Sequence, residues 1–275
     1  MVRALPDPFA PERSGVLPVL MWLLAGAMVL AIIGGLAYSV VTADTDIDPE
    51  TLCRKSGPTA IVSVLIDRTD TLSRTQIVSL RGKLLEWAED VPVNGLFQIY
   101  EVAGAHAEMK PLLTVCNPGT GEDKSELNSS PRQYKKAYRE KYRAPVEDLV
   151  ASIVATKEAD ASPILEALQA VSLHDRGQTI ADQDRIDYRK IILVSDLLQF
   201  GPEVNAYKND LVLEDLVNSP YGRTVVPVLD GVEMEIWLLN RPKVAKRQTD
   251  GLLNFWVGWV MNGGAYSPFV GKISG

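Results

Sequence analysis

Five oxygen-bearing side chains occupy positions from which they can act together. Asp67, Thr69 and Thr71 follow one apolar run, Ser162 precedes a helical pattern, and Asp196 closes a second apolar run. Two carboxylates and three hydroxyls make a hard, all-oxygen donor set. That chemistry suits a small divalent cation, Mg²⁺ or Mn²⁺, because hydroxyls fill coordination positions without adding charge.

The elements around these residues give them a common edge. Ala60–Ile66 is apolar and rich in β-branched residues, the pattern of a strand buried on both faces of a parallel sheet. Tyr188 to Val194 repeats that pattern and runs into Ser195-Asp196. Ligands of open α/β sheets sit just beyond the carboxyl ends of the strands, where both acids would emerge. Each residue also has an ordinary reading. Asp67 is a common strand-end acid, and Asp196 suits a cap on whatever follows it. Ser162 suits a helix N-cap, with Pro163 at the first helical position. Asp70 is a secondary candidate that can pair locally instead.

The three segments in this order resemble the von Willebrand factor type A (vWA) family over roughly Thr59 to Gly263. That family's metal-ion-dependent adhesion site begins with D-x-S-x-S, and Asp67-Arg68-Thr69-Asp70-Thr71 matches with Thr at both hydroxyl positions. Its second element is a Thr or Ser opening a helix that reads x-x-x-x-Ala-Leu, which Ser162-Pro163-Ile164-Leu165-Glu166-Ala167-Leu168 fits. The third is an Asp closing a strand, usually followed by Gly. Here Asp196 is followed by Leu197, a departure that bears on the geometry of that loop. The resemblance implies a Rossmann-like vWA domain whose metal keeps one place open for a carboxylate from a protein partner. Together with the N-terminal apolar span and the lack of catalytic machinery in the sequence, this three-segment site leads to the expectation of a non-catalytic, membrane-tethered module for capture or scaffolding in the cell envelope.

Two other classes compete with that reading. A metal-dependent hydrolase acting on phosphate esters would use Asp67 and Asp70 as a D-x-D-x-T pattern, but the second acid lies three positions on instead of two. A structural subunit with a decayed metal site is the other, and Leu197 favours it. His106 and His174, the only histidines, stand in no metal-type spacing and are expected in a loop or at the surface. Gly119-Thr120-Gly121 lacks the Gly-Lys-Ser/Thr ending of a phosphate loop, and a G-x-S-x-G elbow is absent.

The rest of the chain alternates strands with helices. Helical spacing covers Leu72 to Val91, Ser162 to Leu173, Val212 to Asn218 and Gly251 to Met261. The last of these is apolar yet too short to span a bilayer, so it should close the sheet. Strands are expected at Leu96 to Val102, Met109 to Val115 and Val232 to Leu239. Asn117 to Pro131 is a polar loop. Arg132 to Arg143 carries Tyr134, Tyr138 and Tyr142 every fourth residue, one stripe of a helix that Pro145 to Thr156 continues. The fold class is therefore α/β, a mainly parallel central sheet with helices on both faces, preceded by one N-terminal transmembrane helix.

Residues 16 to 43 carry no charge. Val16 to Val41 is long enough to cross a bilayer with some tilt. Val41-Thr42-Ala43 also has the form of a signal cleavage site, although an apolar stretch this long favours an uncleaved anchor. Arg3 and Arg13 precede the span; Asp44, Asp46, Asp48 and Glu50 follow it. Positive residues stay inside, so residues 1–15 form a cytoplasmic tail, 42–58 a linker, and 59–275 a periplasmic domain tethered to the inner membrane. Ala27, Ala31, Gly35 and Ser39 form a small-residue stripe that would permit homo-oligomer contact within the membrane. In an oxidising compartment Cys53 and Cys116 are plausible disulfide partners. The net charge of −7 argues against nucleic acid as a partner.

Overall fold

The computed structural model describes residues 16–43, 47–102, 109–122, 131–152, 160–181 and 186–273. His106 lies outside them. Helix α1 (Val16–Ala43) is a continuous, uncharged element of 28 residues, about 42 Å at 1.5 Å per residue. Among the described residues it is the one helix long and apolar enough to cross a membrane. Ala27, Ala31 and Gly35 are exposed along it; the side chain of Ser39 lies outside the described residues.

The second unit, Ile47–Gly275, is built on a six-stranded sheet. In chain order its elements are β1 (Ala60–Ile66), α2 (Arg74–Asp90), β2 (Gly95–Glu101), β3 (Leu113–Cys116), α3 (Pro131–Ala137), a π-helical turn (Tyr138–Arg143), α4 (Ala144–Ser152), α5 (Ile164–Ala181), β4 (Tyr188–Ser195), α6 (Leu213–Asn218), α7 (Pro220–Val225), β5 (Glu233–Leu239), α8 (Asp250–Asn262) and β6 (Tyr266–Ile273). The strand order is β3-β2-β1-β4-β5-β6. All neighbours run parallel except β3, which pairs antiparallel with β2. The order reverses between β1 and β4, the two central strands, and such a switch point opens a crevice at their carboxyl ends.

Strand alternation explains the two helical layers. Val62, Val64 and Ile66 face α2 and the stretch around α4, packing with Leu80, Leu84, Trp87, Tyr142 and Val146. Leu65 of β1 faces the opposite layer, where Ile164, Leu168 and Val171 of α5 meet Trp256 and Trp259 of α8. Helix α2 starts on a capping box in which Ser73 and Gln76 satisfy each other's backbone N–H groups. Burial of both sheet faces is why β1 reads as an unbroken apolar run.

Within the α5 layer lies a polar group that alternation alone does not suggest. Gln98 Nε2 donates to Asp175 Oδ1 at 3.3 Å and to Gln178 Oε1 at 3.1 Å. Tyr100 Oη stands 2.8 Å from Nδ1 of His174. Both Gln98 and Asp175 are buried. His174 is thus half-buried at the end of a network, rather than a bare surface residue.

Other elements depart from the sequence reading. Strand β6 was not anticipated, because Gly, Pro and Ser interrupt its pattern; it is an exposed edge strand. Strand β3 is only four residues long. The tyrosine stripe lies on α3 and the π turn, not on one α-helix. Tyr142 is buried and donates to the carbonyl of Ala88 at 2.5 Å, with the Tyr138 ring 5.3 Å away. Residues 153–156 of the expected helical continuation fall outside the described residues.

The segment 47–58 folds onto the domain. Ile47 bridges Arg54, Leu52 is buried, and the N–H of Cys116 donates to Thr51 O at 2.7 Å. Cys53 and Cys116 form the expected disulfide. Cys116 pairs with Leu96 near the start of β2. This attachment therefore sits at the amino-terminal rim of the parallel strands, opposite the rim that carries Asp67.

Candidate metal centre

Asp67 is the first residue beyond β1, and its N–H donates to Val194 O of β4 at 2.8 Å. Its carboxylate is almost fully buried, 1% exposed, and is surrounded by hydroxyls. Oδ1 accepts from Thr69 Oγ1 at 2.6 Å and from Thr69 N at 3.1 Å. Oδ2 accepts from Ser162 Oγ at 3.1 Å and from Ser195 Oγ at 2.8 Å. Three hydroxyls, from the loop after β1, the segment before α5 and the end of β4, thus converge on one carboxylate.

Ser162 reaches this place because its backbone is clamped. Ser162 and Phe200 exchange two main-chain hydrogen bonds, at 2.8 and 2.9 Å. Helix α5 begins two residues later, and Ser162 is not its side-chain cap. Gln199 does that work instead: its Oε1 accepts from Leu165 N at 2.9 Å, while its Nε2 donates to Glu166 at 3.1 Å. The Ser162 hydroxyl is left free to serve Asp67.

Asp196 follows β4 and is 2% exposed. Its Oδ1 accepts from Leu198 N at 2.9 Å. Burial, reinforced by the charge of Asp67, pushes its carboxyl well above the usual carboxylate range, and Arg241 only partly opposes this. Leu197, where the sequence pattern calls for Gly, takes φ of +66°. That left-handed backbone is what a glycine would adopt freely. Leu197 is held there by three bonds: its N–H donates to Ser195 Oγ at 2.8 Å, and its carbonyl accepts from Trp256 Nε1 at 2.8 Å and Gln199 N at 3.1 Å.

Thr71 is exposed on the wall of the crevice, and its carbonyl accepts from Arg241. Asp70 is also exposed and accepts from Tyr207 Oη at 3.3 Å. Above the buried acids opens a cleft of about 710 Å³ lined by residues including Thr69, Ser162, Phe200, Tyr207, Lys208 and Lys243. The donor set is wholly oxygen, and two buried carboxylates share the vicinity of one guanidinium. The residues present fit a small hard cation, which would offset the burial and the Asp67 charge that raise Asp196. Asp67, Thr69, Ser162 and Asp196 would hold it, with Thr71 at the rim.

Sequence reasoning passed over Ser195, Gln248 and Arg241. Ser195 carried a signal, a hydroxyl closing an otherwise apolar buried run. Gln248 Nε2 donates to Asp196 O at 3.1 Å and Leu239 O at 2.8 Å, a tie between distant loops with no local pattern. Arg241 stands two residues past β5, the strand beside β4, and its place followed from the strand order alone.

No family model and no curated protein matches this chain. Among solved structures it is similar to a von Willebrand factor type A protein from Catenulispora acidiphila, with a TM-score of 0.36 and 13% identity over 79% of this chain and 39% of that one. It is also similar to proximal thread matrix protein 1 from the mussel byssus, with a TM-score of 0.38 and 11% identity over 75% of this chain and 48% of that one. The chain spans less than half the length of either.

Proposed function

We propose that this chain is a membrane-tethered vWA-like module that binds a protein partner in the cell envelope through a divalent cation, Mg²⁺ or Mn²⁺. The observation that carries this reading is the convergence of Thr69, Ser162 and Ser195 hydroxyls on the Asp67 carboxylate, with Asp196 beside it, at the switch point of the sheet. A divalent cation held by two acids is neutralised in formal charge, but neutral hydroxyl oxygens at its other positions leave it a Lewis acid whose open place takes one more carboxylate. Lys208 and Lys243 line the same cleft and complement an acidic partner surface.

Helix α1 serves as the anchor, with the N-terminus in the cytoplasm and the domain in the periplasm. Segment 47–58 joins the domain at the rim opposite Asp67.

Affinity purification of the full chain from membranes tests the reading. With Mg²⁺ a defined set of proteins should be retained, and chelator or Asp67→Ala should release it. Titration calorimetry with Mn²⁺ should show one site in the wild type and none in Asp67→Ala. A retained set indifferent to chelator and to the substitution would sink the proposal.

A further inference from the structure

We propose that Arg241 is a built-in counter-cation of this site, holding the two acid-bearing loops in place while weakening divalent binding, so that the metal is held loosely and exchanges. The inference rests on the metal reading above.

Arg241 is 9% exposed and fixed from several sides. Its Nε donates to Asp196 Oδ2 at 3.4 Å. Its Nη1 donates to Thr71 O, and its Nη2 to Asp70 O at 3.3 Å. Its own N–H donates to Gln248 Oε1 at 2.7 Å, and Gln248 in turn grips the carbonyls of Asp196 and Leu239. One guanidinium fork thereby joins the loop after β1, the loop after β4 and the end of β5. The planar, always charged guanidinium suits this task in a way that a point-charge ammonium does not.

The same placement has an electrostatic consequence. A cation that uses Asp196 must share that carboxylate with a positive charge already bound to it. Like charges a few ångströms apart repel strongly even at the effective dielectric of a protein surface. The loops keep their arrangement without the metal, and the metal loses affinity for the same reason. A weakly held ion can be gained together with the partner's carboxylate, whose negative charge offsets Arg241.

Calorimetric titration of Mn²⁺ into the full chain in detergent tests this with wild type, Arg241→Gln and Arg241→Lys, each checked by circular dichroism. Arg241→Gln, whose Nε2 replaces Arg241 Nε and keeps a neutral donor toward Asp196, should bind at least tenfold more tightly, and Arg241→Lys should stay near the wild type. Equal or weaker binding by a folded Arg241→Gln overturns this inference alone. No binding by wild type or Arg241→Gln overturns the metal reading as well. Should Arg241→Gln fail to fold, the Nε resonance of Arg241 in the ¹⁵N-labelled wild type decides. Its movement as Mg²⁺ saturates the site supports competition for Asp196, and an unmoved resonance at saturation refutes it.

Discussion

Ser195, the last residue of β4, donates its hydroxyl proton to Oδ2 of Asp67 at 2.8 Å, across the two central strands. The same hydroxyl oxygen accepts from Leu197 N at 2.8 Å. One side chain thereby fixes the first acid and the loop of the second. Replacing it with alanine removes both bonds inside a buried site, where unsatisfied groups cost about 1–3 kcal/mol. Ser195→Ala should lower unfolding free energy by that amount in urea titration and weaken Mn²⁺ binding in calorimetry. Unchanged values for both would show that the Ser195 bridge is incidental.

Leu197 sets two effects of similar size against each other. Its φ of +66° costs a non-glycine residue about 1–2 kcal/mol. Its side chain is fully buried against the α5 and α8 layer, and deleting a buried leucine costs about 3–5 kcal/mol. Packing wins, so Leu197→Gly should be less stable than the wild type by roughly 2 kcal/mol, taking both costs together. Leu197→Ala keeps the strain and loses nearly the same packing. It should therefore be less stable than Leu197→Gly by about 1 kcal/mol, the reverse of the usual order of these two residues. Chemical denaturation of the pair gives the sign directly.

Local patterns carried the strands and the acids at their ends, because both are written in consecutive residues. Ala60–Ile66 and Tyr188–Ser195 are apolar for a reason that acts residue by residue, namely burial on both faces. Ser162 was legible as a hydroxyl at the mouth of a helix, but its role was not. Whether it caps α5 or serves Asp67 depends on Gln199, which comes from another loop and takes the capping duty. Arg241 and Gln248 were invisible for the same reason: their partners lie 45 and 52 residues away from them. Strand β6 escaped because an exposed edge strand needs no apolar face, so Pro268 is tolerated there, while Gly271 lies against the Trp237 ring where a Cβ would come within 2.6 Å. Leu197 was seen as a break in the family pattern, yet only the backbone shows that the glycine-like conformation persists without the glycine.

Asp175 gives a pH dependence that lies apart from the cleft. Burial raises its carboxyl above the usual carboxylate range, against smaller opposing effects from His174, Ser63 and Arg189. The folded state therefore keeps this proton after the unfolded chain has lost its own. Over that window the folded state binds more protons than the unfolded state, so this group's contribution to stability is present at low pH and falls as pH rises above the unfolded value. Asp175→Asn preserves the shape and abolishes the titration. Its denaturation midpoint should exceed that of the wild type at pH 8, with the gap closing toward pH 4. A midpoint below the wild type at pH 8 would show that Asp175 is stabilised as an anion by its partners.

The disulfide joins residues 63 apart in sequence, and its value lies mainly in the unfolded chain. Loop-closure entropy for that length comes to about 4 kcal/mol, with measured cases spread below it. At about 2–4 °C per kcal/mol for a domain of this size, reduction or the Cys53→Ser, Cys116→Ser pair should lower Tm by roughly 10 °C. The site should be spared, because the bond lies at the amino-terminal rim and pins segment 47–58 to β3, while the acids emerge at the other end of the strands. Mn²⁺ titration below the melting transition should accordingly give the same affinity with the bond intact or reduced. A fall in affinity on reduction, with secondary structure preserved, would mean that the two rims are coupled through β1 and β2.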